Sequence, residues 1–149
     1  MVSQIDEELQ EQIEEKLKQG WIKTWFAVEV MATDKDITEH SLKEHIEKLE
    51  KVKGALVFGK EFKSIERVEN PPKNVLVAYS QIAEVELIVK DLLTLITVVI
   101  TFGPSAIEIL EPRELRIKID EVQNIVNFLA GLIHQFAQAG VGGIVIRPK

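Results

Sequence analysis

The segment WIKTWFAVEVMAT, residues 21–33, is rich in aromatic and β-branched residues, which predicts a β-strand. Side chains two residues apart in a strand lie on the same face of its sheet. One face of this strand therefore carries Trp21, Trp25, Ala27, Glu29 and Met31.

Elements on both sides of this strand follow from their periodicity. A charged helix at residues 3–19, capped by Ser3, precedes it and has a narrow apolar stripe of Ile5, Leu9, Ile13 and Leu17. A second helix is predicted to begin at Asp34 or Asp36 and to run to about residue 52, where apolar residues again recur at helical spacing. Strands are predicted next at residues 55–69 and 80–90.

The second half of the chain is more apolar. LLTLITVVITF, residues 92–102, predicts a short buried helix, although its β-branched content leaves a buried strand as the alternative. Residues 106–110 and 115–119 predict two strands separated by a proline. A long helix that Asp120 caps then runs to about residue 139, and residues 144–147 predict a final strand.

Residues 21–110 thus give the order strand, helix, strand, strand, helix, strand. This is the order of the ferredoxin-like, or split βαβ, fold, an antiparallel sheet with helices on one face. We expect an α+β protein of this class, in a single domain of residues 1–149. Residues 1–20 add an N-terminal helix, and residues 111–149 add a strand–helix–strand extension. In this fold the first and third strands are central neighbours.

The composition is that of an ordinary globular protein. The 149 residues are 46% hydrophobic and 28% charged, with a net charge of −6. A negative net charge argues against a general affinity for nucleic acid or for anionic membranes. No cysteine occurs, so disulfides, thiol nucleophiles and cysteine zinc sites are excluded. We expect no cofactor and no bound metal.

The sequence carries no sign of export or of membrane insertion. The N-terminus, MVSQIDEELQEQ, lacks the basic start and the apolar core of a signal peptide. The most apolar run, residues 92–102, has 11 residues, whereas a membrane helix needs about 20. We therefore expect a cytoplasmic protein. Abundant lysine and glutamate without cysteine fit a thermophile.

The last long helix is unusual because no charged residue occurs from Val122 to Ile146. A helical wheel predicts one broad apolar face made of Val122, Ile125, Val126, Leu129, Leu132, Ile133 and Phe136. The opposite face holds Gln123, Asn124, Asn127, Gly131, His134, Gln135 and Gln138. Amides suit a surface that is partly removed from water but still needs hydrogen bonds.

Three interpretations of this polar face remain open. It is a solvated surface that happens to use amides, a surface buried against another subunit or another element of the chain, or the wall of a ligand pocket. In the third case His134 serves as an acid, a base or a hydrogen-bond donor. The length of the uncharged run favours burial. The candidate ligand or interface residues on this helix are Asn127, His134, Gln135 and Gln138.

The open face of the sheet offers a second candidate site. If the first and third strands are neighbours, Glu84 and Glu86 share a face with Trp25 and Glu29. Aromatic residues on such a face are typical of RNA binders, but those need basic partners, and this face offers glutamates. The cluster suits a cation or an amine ligand, or the rim of a sheet-to-sheet contact between subunits. Ordinary packing with solvated acids is the simplest interpretation.

Two further patterns predict no chemistry. The glycines of AGVGG, residues 139–143, follow a helix instead of preceding one, so they meet its carbonyl end and predict a helix stop, not a phosphate loop. His40 and Glu44 share a helix face, but their spacing matches no established zinc pattern. We interpret them as part of a solvated charged surface.

These observations lead to two functional hypotheses. The first is a cytoplasmic, non-catalytic homo-oligomer that binds neither nucleic acid nor membrane, with its interface on the uncharged helix or on the Trp-bearing sheet face. The second is a sensor or enzyme for a small-molecule ligand, whose pocket lies at a subunit interface and uses His134, Asn127 and the sheet glutamates. Neither hypothesis identifies a catalytic residue or a reaction.

Overall fold

The computed structural model describes residues 4–140, and the side chains of residues 6–140. Within these residues the protein is α+β, as predicted, with four helices and a five-stranded antiparallel sheet. The helices are α1 (Gln4–Lys18), α2 (Lys35–Glu50), α3 (Leu92–Phe102) and α4 (Ile119–Gln138). The strands are β1 (Ile22–Ala32), β2 (Ala55–Phe62), β3 (Glu66–Arg67), β4 (Tyr79–Val89) and β5 (Ala106–Glu111).

The chain divides into two compact units, Met1–Arg113 and Glu114–Lys149. The first unit contains α1, α2, α3 and all five strands, and the second contains α4. This boundary falls close to residue 111, where the sequence predicts the start of a C-terminal extension. The expectation of a single domain stays a prediction.

The sheet in the first unit has the strand order β2-β4-β1-β5, and the short β3 also pairs with β4. β1 pairs antiparallel with β4 from Ile22 opposite Val89 to Ala32 opposite Tyr79. On its other side β1 pairs antiparallel with β5, which forms an edge of the sheet. The aromatic and β-branched segment at residues 22–32 is therefore a central strand.

One face of the sheet packs against α2 and α3. The sheet contributes the fully buried side chains of Phe26, Val28, Val85 and Leu87, among others. The helices add Leu42, Ile46, Leu49, Leu95, Val98 and Phe102. Burial of these apolar side chains stabilises the fold by roughly 25 cal/mol for each Å² removed from water. The opposite face of the sheet carries the predicted polar side chains of β4.

Aspartate caps begin both helices of this core. Asp34 Oδ1 accepts hydrogen bonds from the backbone N–H groups of Asp36 and Ile37, at 2.7 and 3.2 Å. Asp91 Oδ1 accepts from the backbone N–H and the hydroxyl of Thr94, at 2.8 and 2.6 Å. Residues 92–102 are thus a capped helix, as predicted, and the alternative of a buried strand is wrong.

The strand predicted at residues 55–69 is interrupted. β2 ends at Phe62, and only Glu66–Arg67 pair with β4 again, as β3. Lys63 still donates its backbone N–H to Ile82 O at 2.8 Å before the chain leaves the sheet. The register of β2 shifts between Val57 and Gly59, which is where a glycine within a strand predicts a bulge.

Two predictions about the start of α4 are wrong. Residues 115–118 have no regular structure where a strand is predicted, because alternation alone cannot supply the neighbouring strand whose hydrogen bonds a strand needs. None of the described strands pairs with this segment. The N-cap is Lys118, without a side-chain hydrogen bond, instead of Asp120. Asp120 lies in the first turn, where the helix dipole favours its charge.

The end of α4 agrees with the sequence. The helix ends at Gln138, and Gly140 has a φ of 80°, which confirms the predicted glycine stop. The predicted strand at residues 144–147, the Ser3 cap and the side chain of Ile5 lie outside the described residues. No helix within residues 4–140 is both long enough and apolar enough to cross a bilayer.

Candidate functional site

The polar side of α4 is exposed to solvent. The four candidate residues of this helix, Asn127, His134, Gln135 and Gln138, all lie on the exposed side. Asn127 Oδ1 accepts a hydrogen bond of 3.2 Å from Gln123 Nε2, one turn earlier on the same helix. In one copy of the chain these side chains therefore face water.

The apolar face predicted for α4 is split in two. Ile125 is buried, and Phe128 and Leu132, on the same side of the helix, are partly buried. The remaining apolar side chains are exposed, with exposed fractions from 36% at Leu129 to 82% at Ile119. We call this set the α4 row; it consists of Ile119, Val122, Val126, Leu129, Ile133 and Phe136. A helical wheel separates polar from apolar positions, but it does not say which apolar positions are covered.

Trp25 lies in a row of side chains that crosses the open face of the sheet. Glu86 of β4 and Glu108 of β5 are directly opposite Trp25 in the two ladders. Side chains directly opposite each other in an antiparallel pair lie on the same face. The structure therefore brings Trp25 and Glu86 together, as the predicted neighbouring strands require.

The adjacent row on this face contains more acids. Glu84 is opposite Ala27 on β1 and opposite Glu61 on β2. Glu29, an exposed residue on the same face of β1, is opposite Ile82 and lies one row further along. All four predicted sheet candidates thus lie on one face, in neighbouring rows.

Sequence reasoning missed two glutamates of this face. Glu108 could have been predicted from the sequence. The alternation in AIEIL places Glu108 on the other face of its strand from Ile107 and Ile109. The predicted fold also puts this strand beside β1, as the structure has it. The alternation of side chains along the strand does not by itself place Glu61 on this face. The bulge between Val57 and Gly59 shifts the strand by one residue, so its inward and outward positions exchange.

Lys63 forms ion pairs with two glutamates of this face. Its Nζ lies 3.1 Å from Glu61 Oε1 and 3.4 Å from Glu84 Oε2. The hydrogen bond to Glu61 raises the pKa of Lys63 above its ordinary 10.5, and the charges of both glutamates act in the same direction. Because this pKa is raised on folding, the stabilising contact is fully present at neutral pH and is lost only as the pH rises through the raised value.

The glutamates on either side of Trp25 are not balanced in this way. Among the described residues, no Lys, Arg or His lies within ion-pair distance of Glu86 or Glu108. A shallow pocket on this face is lined by Trp25, Gly59, Lys60, Glu61, Glu84 and Glu86. An indole between two carboxylates is an environment that favours an organic cation.

The histidines of α2 do not form a site. His45 Nε2 lies 2.9 Å from Phe102 O, and the two rings pack edge to face at 5.2 Å, so His45 ties α2 to the end of α3. His40 and Glu44 are exposed and lie 3.6 Å apart, as expected for a solvated surface. Within the part of the chain that the structure describes, no three His, Asp or Glu side chains are grouped to hold a metal.

A groove of about 760 Å³ lies in the first unit, between α1 and the ends of β1 and β5. Its apolar lining includes Ile13, Leu17, Trp21, Leu110 and Pro112. Its charged lining comprises Glu14, Lys18, Lys23, Glu111 and Arg113. Because both signs of charge surround the groove, its electrostatics select no single class of ligand.

Comparison with protein families places most of the chain in a known family. The model of the MJ0538 family matches residues 23–149, so the chain belongs to this family. No curated protein and no solved structure matches the chain. The name of the family states no activity, and the function is therefore argued from the surfaces described above.

Proposed function

We propose that this member of the MJ0538 family is a cytoplasmic, non-catalytic protein that assembles with copies of itself. The α4 row carries this proposal. It places six large apolar side chains in contact with solvent, on a helix without a charged residue from Val122 to its end. Contiguous apolar surface of this kind is typical of a contact with another protein.

We further propose that the core has the ferredoxin-like, split βαβ topology. With β3 set aside, the order β2-β4-β1-β5 puts the first and third long strands at the centre, as this topology requires. The packing of α2 and α3 on one face of the sheet supports it as well. This arrangement leaves the opposite face of the sheet uncovered by α2 and α3.

The chemistry of the two candidate surfaces favours assembly over catalysis. The candidates on α4 are amides and an exposed histidine beside an apolar row. The candidates on the sheet are a tryptophan and three acids, of which Glu84 pairs with Lys63. Apolar and aromatic side chains with neutral hydrogen-bonding groups around them are typical of protein–protein contacts.

Light scattering on a size-exclusion peak tests the proposed assembly. We expect a mass that is a multiple of the 16.9 kDa of one chain, stable on dilution through the micromolar range. A mass of one chain at every concentration would overturn the proposal. It would leave the α4 row without a partner and turn the search towards a ligand.

A small organic cation bound over Trp25 is a second candidate function, favoured by the flanking Glu86 and Glu108. A thermal-shift screen of amines should then find a compound that stabilises the protein. The stabilisation should be lost in the Glu86→Gln/Glu108→Gln variant and retained in His134→Ala. The opposite pattern would place the ligand on α4, and no response to a broad panel of amines would count against the site.

A further inference from the structure

We infer that the α4 row binds the α4 row of a second copy, so that the two helices pack along each other as a two-stranded pair. This inference rests on the proposed self-association and names the surface responsible for it. Four observations support it: the spacing of the row, the types of its residues, the burial of the neighbouring side, and the absence of charge.

The row has the spacing of a coiled-coil seam. Its members follow one another at intervals of 3, 4, 3, 4 and 3 residues, from Ile119 to Phe136. The mean interval of about 3.5 residues keeps such a seam facing a partner helix when the two helices supercoil.

The residue types fit a coiled coil of two helices. The first position of each repeat is β-branched, with Ile119, Val126 and Ile133. The second position holds Val122, Leu129 and Phe136. In parallel coiled coils, a β-branched residue at the first position with leucine at the second favours a pair over larger bundles. All three first positions and Leu129 fit this combination, whereas Val122 and Phe136 depart from it.

The row is separate from the side of α4 that the chain itself covers. Ile125 is buried at 8% exposure, and Phe128 and Leu132 are partly buried, whereas Val126 and Ile133, one position further along, are about half exposed. Along its described length, the helix therefore has one apolar side that is buried or partly buried and one that is exposed. Two apolar sides leave only a narrow polar side, which explains why amides and glycine are confined there.

A second copy of the chain suits the α4 row because the row and its flanking positions from Val122 onward carry no charge. The chain has a net charge of −6, so two copies repel each other wherever their acids approach. From Val122 to Gly140 there is no charge, and the positions that flank the row are Gln123, Ile125, Ala130, Leu132 and Ala137. Two such surfaces meet without like-charge contact, and the alanines allow close approach. A strongly charged partner would find no complement here.

A pair of neighbouring substitutions on α4 tests the inference. Val126→Glu puts a carboxylate into the seam, where pairing would have to bury it, and we expect the dissociation constant of the assembly to rise by about a hundredfold or more. Asn124→Glu adds the same charge two positions away, on the polar side, and should change the dissociation constant by less than about threefold. Circular dichroism checks that both variants keep their helix, which is expected because both positions are exposed in one copy.

Cross-linking is an independent test, because it detects the contact in the assembled protein and does not depend on disrupting the assembly. The chain has no cysteine, so each single variant carries one thiol. Leu129→Cys lies near the middle of the row and should form a covalent dimer with a short bismaleimide whether the helices are parallel or antiparallel. Asn124→Cys lies on the opposite side of the helix and should not form a covalent dimer under the same conditions.

The outcomes separate this inference from the proposed function. If the protein assembles, but Val126→Glu assembles equally well and Leu129→Cys does not cross-link, the α4 pair is overturned and self-association through another surface stands. If the unmodified protein is a monomer, both fall. Dissociation of Val126→Glu together with selective cross-linking at Leu129→Cys supports both.

Discussion

Single side chains decide where the helices of the core begin and how tightly they pack. Asp91 is the clearest case, because α3 contains no charged residue and its cap accepts two hydrogen bonds from Thr94. Leu42 shows how tightly the core is packed, since this side chain of α2 is fully buried against the sheet. Both contributions are measurable by substitution.

Asp91→Ala should lower the free energy of unfolding by about 1 kcal/mol, because a capping acceptor is lost and the first N–H groups of α3 remain without a partner. Chemical denaturation measures the change. Asp91→Asn is the matched control, since its amide oxygen still accepts from the Thr94 N–H, and it should retain most of the stability. An equal loss in both variants would show that the charge, and not the cap, matters.

Leu42→Ala should lower the free energy of unfolding by about 2–5 kcal/mol, because it leaves a cavity among fully buried neighbours. Leu76→Ala makes the same chemical change at a side chain that is 96% exposed, and its effect should stay within about 0.5 kcal/mol. Urea unfolding of the two variants compares them directly. Similar losses would contradict the described core.

At the scale of elements, two glycines have opposite roles. Gly54, between α2 and β2, has a φ of 88°, which favours glycine, and an added Cβ would lie 3.4 Å from Thr94 Cγ2. Gly131 lies within α4, and an added Cβ would meet nothing within 4 Å. The first glycine is required by the turn, whereas the second only weakens a helix.

Gly54→Ala should therefore destabilise the protein by about 1 kcal/mol or more, because alanine is strained at positive φ. Gly131→Ala should stabilise α4 by up to about 1 kcal/mol, since alanine has the higher helix propensity. Circular dichroism at 222 nm during thermal unfolding reports both changes. A gain of stability in Gly54→Ala would contradict the conformation described for this turn.

At the scale of the whole molecule, charge is unevenly distributed. Residues 92–149 contain 10 of the 42 charged side chains, and those of α4 lie in its first turn. A protein with a net charge of −6 repels its own copies over most of its surface, so self-association is easiest where charge is absent.

The proposed assembly should accordingly tolerate salt. Raising the ionic strength screens the repulsion between copies and leaves apolar burial intact, so the dissociation constant should stay constant within about threefold or decrease. Sedimentation equilibrium at low and high sodium chloride measures it. Dissociation at high salt would indicate an interface made of ion pairs, which the α4 row cannot provide.

Much of the architecture could be read from the sequence, because the information is local. Period-two and helical repeats, capping residues and glycines identified β1, β4, α2, α3 and the end of α4. The order of these elements then sufficed to bring Trp25 beside Glu86. Each of these inferences depends on residues within a few positions of one another or on the connectivity of neighbouring elements.

The tertiary structure alone decided the rest. The register after the bulge placed Glu61 opposite Glu84 on the acidic face, none of the described strands pairs with residues 115–118, and one apolar side of α4 is buried while the other is exposed. Register, pairing and burial depend on which distant segment lies alongside, and the pattern within a segment does not contain that information. The sequence by itself therefore determined that α4 carries no charge after its first turn, while the packing of the chain determined which of its apolar side chains are exposed.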